Sequence, residues 1–141
     1  MRIVIDTNVL ISGIIFGGKP SKIIELLFGK KISVFASPEM VDEDKRLYGE
    51  LGERYAKRTH NELNEIINSM NILPSHSHIE ACRDPDDNKF IECAIDNRCI
   101  YIVSGDKDLL VLEQYEDIGI LTVSEFLEQY EKKRHKNSTK N

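Results

Sequence analysis

The chain has 141 residues, 40% of them apolar and 30% charged, which is the makeup of one folded domain and not of a disordered or fibrous chain. Its longest apolar stretch, Val9 to Phe16, is broken by Ser12 and Gly13 and is too short for a spanning helix of about 20 residues; Asp6 stands where the apolar core of a signal peptide would be, so a membrane protein is excluded and a cytoplasmic location is expected. The net charge of −5 is uneven: residues 132–141 carry Lys132, Lys133, Arg134, Lys136 and Lys140 without an acid, while the rest holds 14 Lys and Arg against 24 Asp and Glu. An acidic body of this kind is no passive polyanion binder, and handling nucleic acid would call for a divalent cation to offset the repulsion.

Arg2 to Ile5 is a short apolar run that ends at Asp6-Thr-Asn8, which predicts a buried strand. Val9 to Ile15 predicts a helix. Gly17-Gly-Lys-Pro20 breaks it, and Ser21 is expected to cap a helix from Lys22 to Phe28. Ile32 to Ala36 reads as a second strand. Ser37-Pro38 opens a helix whose inward face is Met40, Val41, Asp44, Leu47, Tyr48 and Leu51, with Gly52 expected to kink or end it. Thr59 and Glu62 form a capping-box pattern at the head of a helix through Met70, and Asn71 to Leu73 predicts a short edge strand. A polar loop, Cys82 to Lys89, precedes a helix with Phe90, Ile91, Ala94 and Ile95 inward. Cys99 to Val103 is an apolar strand, Leu109 to Leu112 a helical turn, and Ile118 to Leu121 a last strand. Ser124 is expected to cap the final helix, with Phe126, Leu127 and Tyr130 inward.

Apolar strands separated by helices predict an α/β fold with a central parallel sheet, whose ligand sites lie beyond the carboxyl ends of the strands. Residues 1–131 are expected to form the domain, with 132–141 a disordered basic tail. Cys82, Cys93 and Cys99 are odd in number and contain no paired spacing, so they read as reduced thiols. His76 and His78 have no obvious third ligand and read as surface residues.

Two strands end in acid: Asp6 after the first, and Asp106 with Asp108 after Val103. Asp is a poor strand former and costly to bury unpaired. Two such ends in one sheet bring like charges together, and a shared cation resolves the repulsion. Oxygen ligands alone favour Mg2+ or Mn2+. Either aspartate taken singly is also explained as a helix cap. Glu43 sits at the rim of its helix's apolar face and could point over the sheet edge, with Asp44 as the competing candidate. Asp84, Asp86 and Asp87 cluster before a helix, where acids also complement the helix dipole. Lys107, between Asp106 and Asp108, suits either phosphate contact or charge balance.

Ile3-Val-Ile-Asp-Thr-Asn-Val-Leu10 resembles the opening motif of PIN-domain ribonucleases. Ser37 to Glu43 is similar to their glutamate-bearing helix, and Cys82 to Phe90, Tyr101 to Leu109 and Ile120 to Phe126 resemble their later motifs. The resemblance is to the subgroup described as toxin components of toxin–antitoxin pairs (VapC-like ribonucleases) and spans residues 1 to about 130. It implies a three-layer α/β/α PIN-like fold with a central, mostly parallel sheet. It also implies Mg2+- or Mn2+-dependent cleavage of RNA, neutralisation by a cognate antitoxin protein, and homodimers in many members. By position, Asp6, Glu43, Asp87 and Asp106 would be catalytic. Asp6, Asp84, Asp87, Asp106 and Asp108 would supply the metal ligands, with Asn8, Asn88, Ser104 and Lys107 supporting. Counting back from Asp106 reaches Asn88, a neutral residue, at the third acidic position, which leaves Asp84 and Asp87 as alternatives. The implied chemistry is in-line attack on phosphorus by a metal-activated water, with Glu43 holding the water directly or through a second metal. Two other readings stand beside it. One is a catalytically weakened module that binds RNA or a protein without cutting, suggested by Asn88. The other is a phosphatase using Asp6 as nucleophile, which Asn8 opposes because that chemistry commonly uses a second Asp at this place.

Overall fold

The computed structural model describes residues 1–55 and 61–138, and its core is a six-stranded sheet flanked by helices. The strands are β1 (Arg2–Ile5), β2 (Ser33–Ala36), β3 (Asn71–Ile72), β4 (Tyr101–Val103), β5 (Gln114–Tyr115) and β6 (Ile118–Leu121). The helices are α1 (Thr7–Ile15), α2 (Lys19–Phe28), α3 (Pro38–Tyr55), α4 (Asn61–Asn68), α5 (Asn88–Asp96), α6 (Lys107–Leu110) and α7 (Val123–Ser138), with a 3-10 turn at Pro85–Asp87. Among the described residues no helix is long and apolar enough to cross a membrane.

The strand order is β3-β2-β1-β4-β6-β5. All neighbours are parallel except β5 and β6. This is the α/β architecture expected from the sequence. Helices cover the central strands, and β1 and β2 accordingly bury three of their four residues, the run of apolar side chains that parallel strands need. Ile3, Val4, Val34, Ile102 and Phe126 are almost wholly buried. The chain leaves β1 to form β2 on one side and returns as β4 on the other. Between β1 and β4, the strand order therefore reverses direction, the place where such sheets leave a crevice at their carboxyl ends. The amide of Asp6 donates to the Val103 carbonyl at 2.9 Å, so the two acidic strand ends lie side by side.

Several local expectations differ from the structure. Helix α2 starts at Lys19, three residues before the predicted start, because Pro20 fits a first turn that has no use for its missing N–H. Ser21 lies inside it and donates to the Gly18 carbonyl instead of capping. Helix α3 runs past Gly52 to Tyr55. Thr59 lies outside the described residues. The cap of α7 is Thr122, not Ser124: the Thr122 hydroxyl accepts from the Glu125 amide at 3.2 Å, and Glu125 accepts from the Thr122 amide at 3.0 Å. Residues 132–138, expected as disordered tail, continue α7, supported by Lys132–Glu128 and Arg134–Glu131 pairs one turn apart. Strand β5 was not expected, since two residues are too few to show alternation.

The segment from Leu73 to Cys82 has no regular structure, yet five of its backbone amides are held by side chains of α5. Asp96 accepts from the amides of His76 and Ser77 at 2.8 and 3.1 Å. Glu92 accepts from Ile79 at 2.9 Å. Asn88 Oδ1 accepts from Ala81 and Cys82 at 3.1 and 2.9 Å. The acceptors recur every four residues along α5, a rise of about 6 Å. The donors recur every two residues of extended chain, about 6.6 Å. The two spacings match, so the segment lies antiparallel along the helix and delivers residues 83–87 to the end of the sheet.

Candidate metal centre

Asp6 closes β1 and caps α1, and the residue is 3% exposed at the crevice. Its Oδ1 accepts from the Asn8 amide at 3.1 Å and its Oδ2 from the Ser104 hydroxyl at 2.6 Å. Burial pushes the Asp6 carboxyl above its ordinary value. The bonds from Ser104 and Asn8 offset part of this, while the charges of Asp106 and Glu43 add to it. Ser104 in turn accepts from the Asp106 amide at 3.0 Å, so one buried hydroxyl sets the positions of both aspartates. Asp106 caps α6 through the Asp108 amide at 2.8 Å. Capping and clustering therefore coexist: each strand-end aspartate caps a helix and still faces the crevice.

The 3-10 turn after Asp84 brings in the third group. Asp84 caps that turn through the Asp86 amide at 3.0 Å. Asp87 follows, 6% exposed, with its carboxylate against that of Asp106. Oxygens of Asp84, Asp87 and Asp108 all lie within 4.8 Å of one another. Asp87 Oδ2 is buried without a hydrogen-bond donor. Burial, followed by the charges of Asp106, Asp84 and Asp6, pushes Asp87 up to about 7. At the rim, the exposed Arg83 guanidinium pairs with Asp108 at 3.2 Å. Asn88, the residue reached by counting back from Asp106, points away from this group, since its oxygen holds the Ala81 and Cys82 amides. Of Asp84, Asp87 and Asn88, the two aspartates are the ones with oxygens in the convergent group.

Glu43 lies on α3, half-buried, and its Oε2 is paired with the ammonium of Lys89. Its charge bears on both Asp6 and Asp44. Lys89 is only 5% exposed and pairs also with Asp86 at 3.0 Å. Although its burial alone would lower the Lys89 pKa, Glu43 and Asp86 raise it on balance, so the ammonium stays charged. The sequence reading took Lys89 for part of a polar loop; nothing in the local pattern separates it from a solvated lysine. Asp44, on the buried face of α3, is 3% exposed, and burial pushes it up to about 7, with the charges of Glu43 and Asp6 adding to this and that of Lys89 offsetting part. Asn8 and Lys107 are exposed. Asn8 lines an open groove of about 320 Å3 with Val9, Ser12, Pro20, Gly105 and Asp106.

His76 and His78 lie elsewhere: His76 pairs with Asp96 at 3.5 Å and His78 with Glu80 at 3.2 Å. The three cysteines are free thiols, and burial pushes Cys93 up to about 11 and Cys99 to about 12.

The model of the PIN domain matches residues 2–108, from β1 to the last aspartate of the cluster. The chain belongs to the PIN domain family. It is also similar to the uncharacterized protein MJ1680 of Methanocaldococcus jannaschii, with 36% identity over an alignment that covers 94% of this chain and 93% of the relative. PIN domains are typically metal-dependent nucleases, and the acidic cluster of this PIN domain suits a metal. Its donors are all carboxylate oxygens, the set that hard divalent cations prefer. A buried carboxylate oxygen without a donor is costly unless a cation or proton meets it. Asp84, Asp87 and Asp108 fit such an ion, with Asp6 and Asp106 adjoining them.

Proposed function

We propose that this PIN domain is an endoribonuclease that hydrolyses phosphodiester bonds with Mg2+ or Mn2+ and acts as the toxin of a toxin–antitoxin pair. The observation that carries the reading is the convergence of oxygens of Asp84, Asp87 and Asp108, together with the buried Asp87 Oδ2 that has no hydrogen-bond donor. A divalent ion held there supplies Lewis-acid stabilisation of the phosphate and activation of the attacking water. Asp6 and Asp106, fixed through Ser104, hold the inner side of that position. Glu43, anchored through Oε2, has Oε1 to orient the water. Lys107, exposed one residue after Asp106, suits contact with the leaving oxygen. RNA would enter along the groove of Asn8, Ser12 and Pro20. A cognate antitoxin would cover this groove, and a homodimer would bring two of them into one assembly. All of this belongs to a cytoplasmic setting. The weaker reading, a binding module without cleavage, rested on Asn88. With Asp87 in the cluster and Asn88 engaged by backbone, no observation favours it.

The test is cleavage of a pooled, mixed-sequence RNA by the partner-free protein with Mn2+, Mg2+ or chelator, comparing wild type with Asp6→Asn and Asp106→Asn. Cleavage is expected only with metal and both aspartates. Folded protein that cuts nothing with either metal, or an Asp106→Asn variant that cuts as fast as wild type, would overturn the reading.

A further inference from the structure

Eight carboxylates crowd the carboxyl end of this sheet: Asp6, Glu43, Asp44, Asp84, Asp86, Asp87, Asp106 and Asp108. Two cations meet them among the pairs described. Arg83 sits at the exposed rim on Asp108. Lys89 is buried, and buried lysines are rare unless paired. The first turn of α5 divides the acids. Asp87, just before it, faces Asp106, whereas Lys89, two residues on, faces α3. Residues two apart on a helix do not face each other, so the Lys89 ammonium and the Asp87 carboxylate leave that turn in different directions. Lys89 is tied down three ways: to Glu43, to Asp86, and over the Phe90 ring, 5.3 Å from its centroid. Glu43 is outside the group whose oxygens converge, and one of its oxygens is already taken.

The geometry points to Lys89 as the resident second cation of this centre, a positioning residue that keeps Glu43 from ligating the metal directly and limits the site to one divalent ion. This rests on the metal-dependent reading above. A divalent ion at Glu43 would have to displace the ammonium or sit beside it against its repulsion. The arrangement assigns the two sides different duties: the three aspartates take the exchangeable ion, and Lys89 keeps Glu43 oriented whether or not that ion is bound.

The experiment is a calorimetric titration of the metal-free full chain with Mn2+, for wild type, Glu43→Gln and Lys89→Met, with circular dichroism and a thermal melt in chelator to check folding. Wild type is expected to bind one Mn2+ per chain. Glu43→Gln should keep that ion with affinity within about threefold, and Lys89→Met should take up a second ion at the released glutamate. Two ions on wild type, a loss of first-ion affinity above about tenfold in Glu43→Gln, or a folded Lys89→Met that still holds one ion would each overturn the assignment. If Lys89→Met does not fold, wild type and Glu43→Gln decide it alone. A wild type that binds no ion sinks both this assignment and the metal-dependent reading; two ions sink this assignment only.

Discussion

Replacing Asp44 with Asn keeps the shape of a buried side chain and removes its titration. Burial lifts the folded-state pKa of Asp44 from 3.8 to about 7. The folded protein therefore holds this proton more tightly than the unfolded chain does. Stability from this group is greatest below pH 4 and falls as pH rises toward 7, the reverse of a salt-bridged aspartate. At 1.36 kcal/mol per unit, the penalty is about 2 kcal/mol at pH 5 and about 4 kcal/mol at pH 8, upper values that local relaxation reduces. The assay is urea unfolding followed by circular dichroism at both pH values, in chelator so that no metal intervenes. Relative to wild type, Asp44→Asn should gain about 2–3 kcal/mol in stability between pH 5 and pH 8, with an unchanged m-value. Taking the difference between the two proteins largely cancels the titrations of Asp6 and Asp87. A difference that stays level within about 0.5 kcal/mol across that range would refute burial as the cause.

Three further outcomes follow from the site and its supports. Mn2+ at about a hundredfold excess over its dissociation constant should stabilise the wild type by about 3 kcal/mol, and Asp87→Asn should lose most of that gain in a thermal melt. Asn88→Asp should leave RNA cleavage within about threefold of wild type, while Asn88→Ala should lower stability by about 1–3 kcal/mol by orphaning the Ala81 and Cys82 amides. Burial alone would raise Asp96, but the bonds from Ser77 and His76 hold its carboxyl below the ordinary 3.8. Its contribution is thus present above about pH 4 and lost as pH falls further, so the melting difference between wild type and Asp96→Ala should be large at pH 7 and shrink at pH 3.

The central strands and the inward faces of α3 and α5 were legible because burial leaves an apolar period in the sequence. Asp6 and Asp106 were legible for a related reason, since a carboxylate ending an apolar strand has no packing role to explain it. The division of labour between Asp87 and Asn88 was not. Adjacent polar residues at a helix start look alike in sequence, and the backbone of the 3-10 turn decides which one faces the crevice. Lys89 was hidden for the same reason: its partner Glu43 lies 46 positions away, and no local pattern encodes that contact. The continuation of α7 over residues 132–138 was not legible because that basic run lacks acids. The stabilising partners Glu128 and Glu131 lie just upstream, one turn back.

Helix α5 reads the 76–82 segment much as an edge strand reads its neighbour, with side-chain oxygens in place of carbonyls. Such pairing has a register, and register turns segment length into an active-site coordinate. One residue inserted between Ser77 and Ala81 would put alternate amides out of phase with Glu92 and Asn88 and feed an extra step of about 3.3 Å toward Asp84 and Asp87. The same insertion at Ser75, upstream of the first rung, would leave every downstream rung in place. Neighbouring points in one irregular stretch should therefore differ sharply in their tolerance of length change, with the boundary at His76.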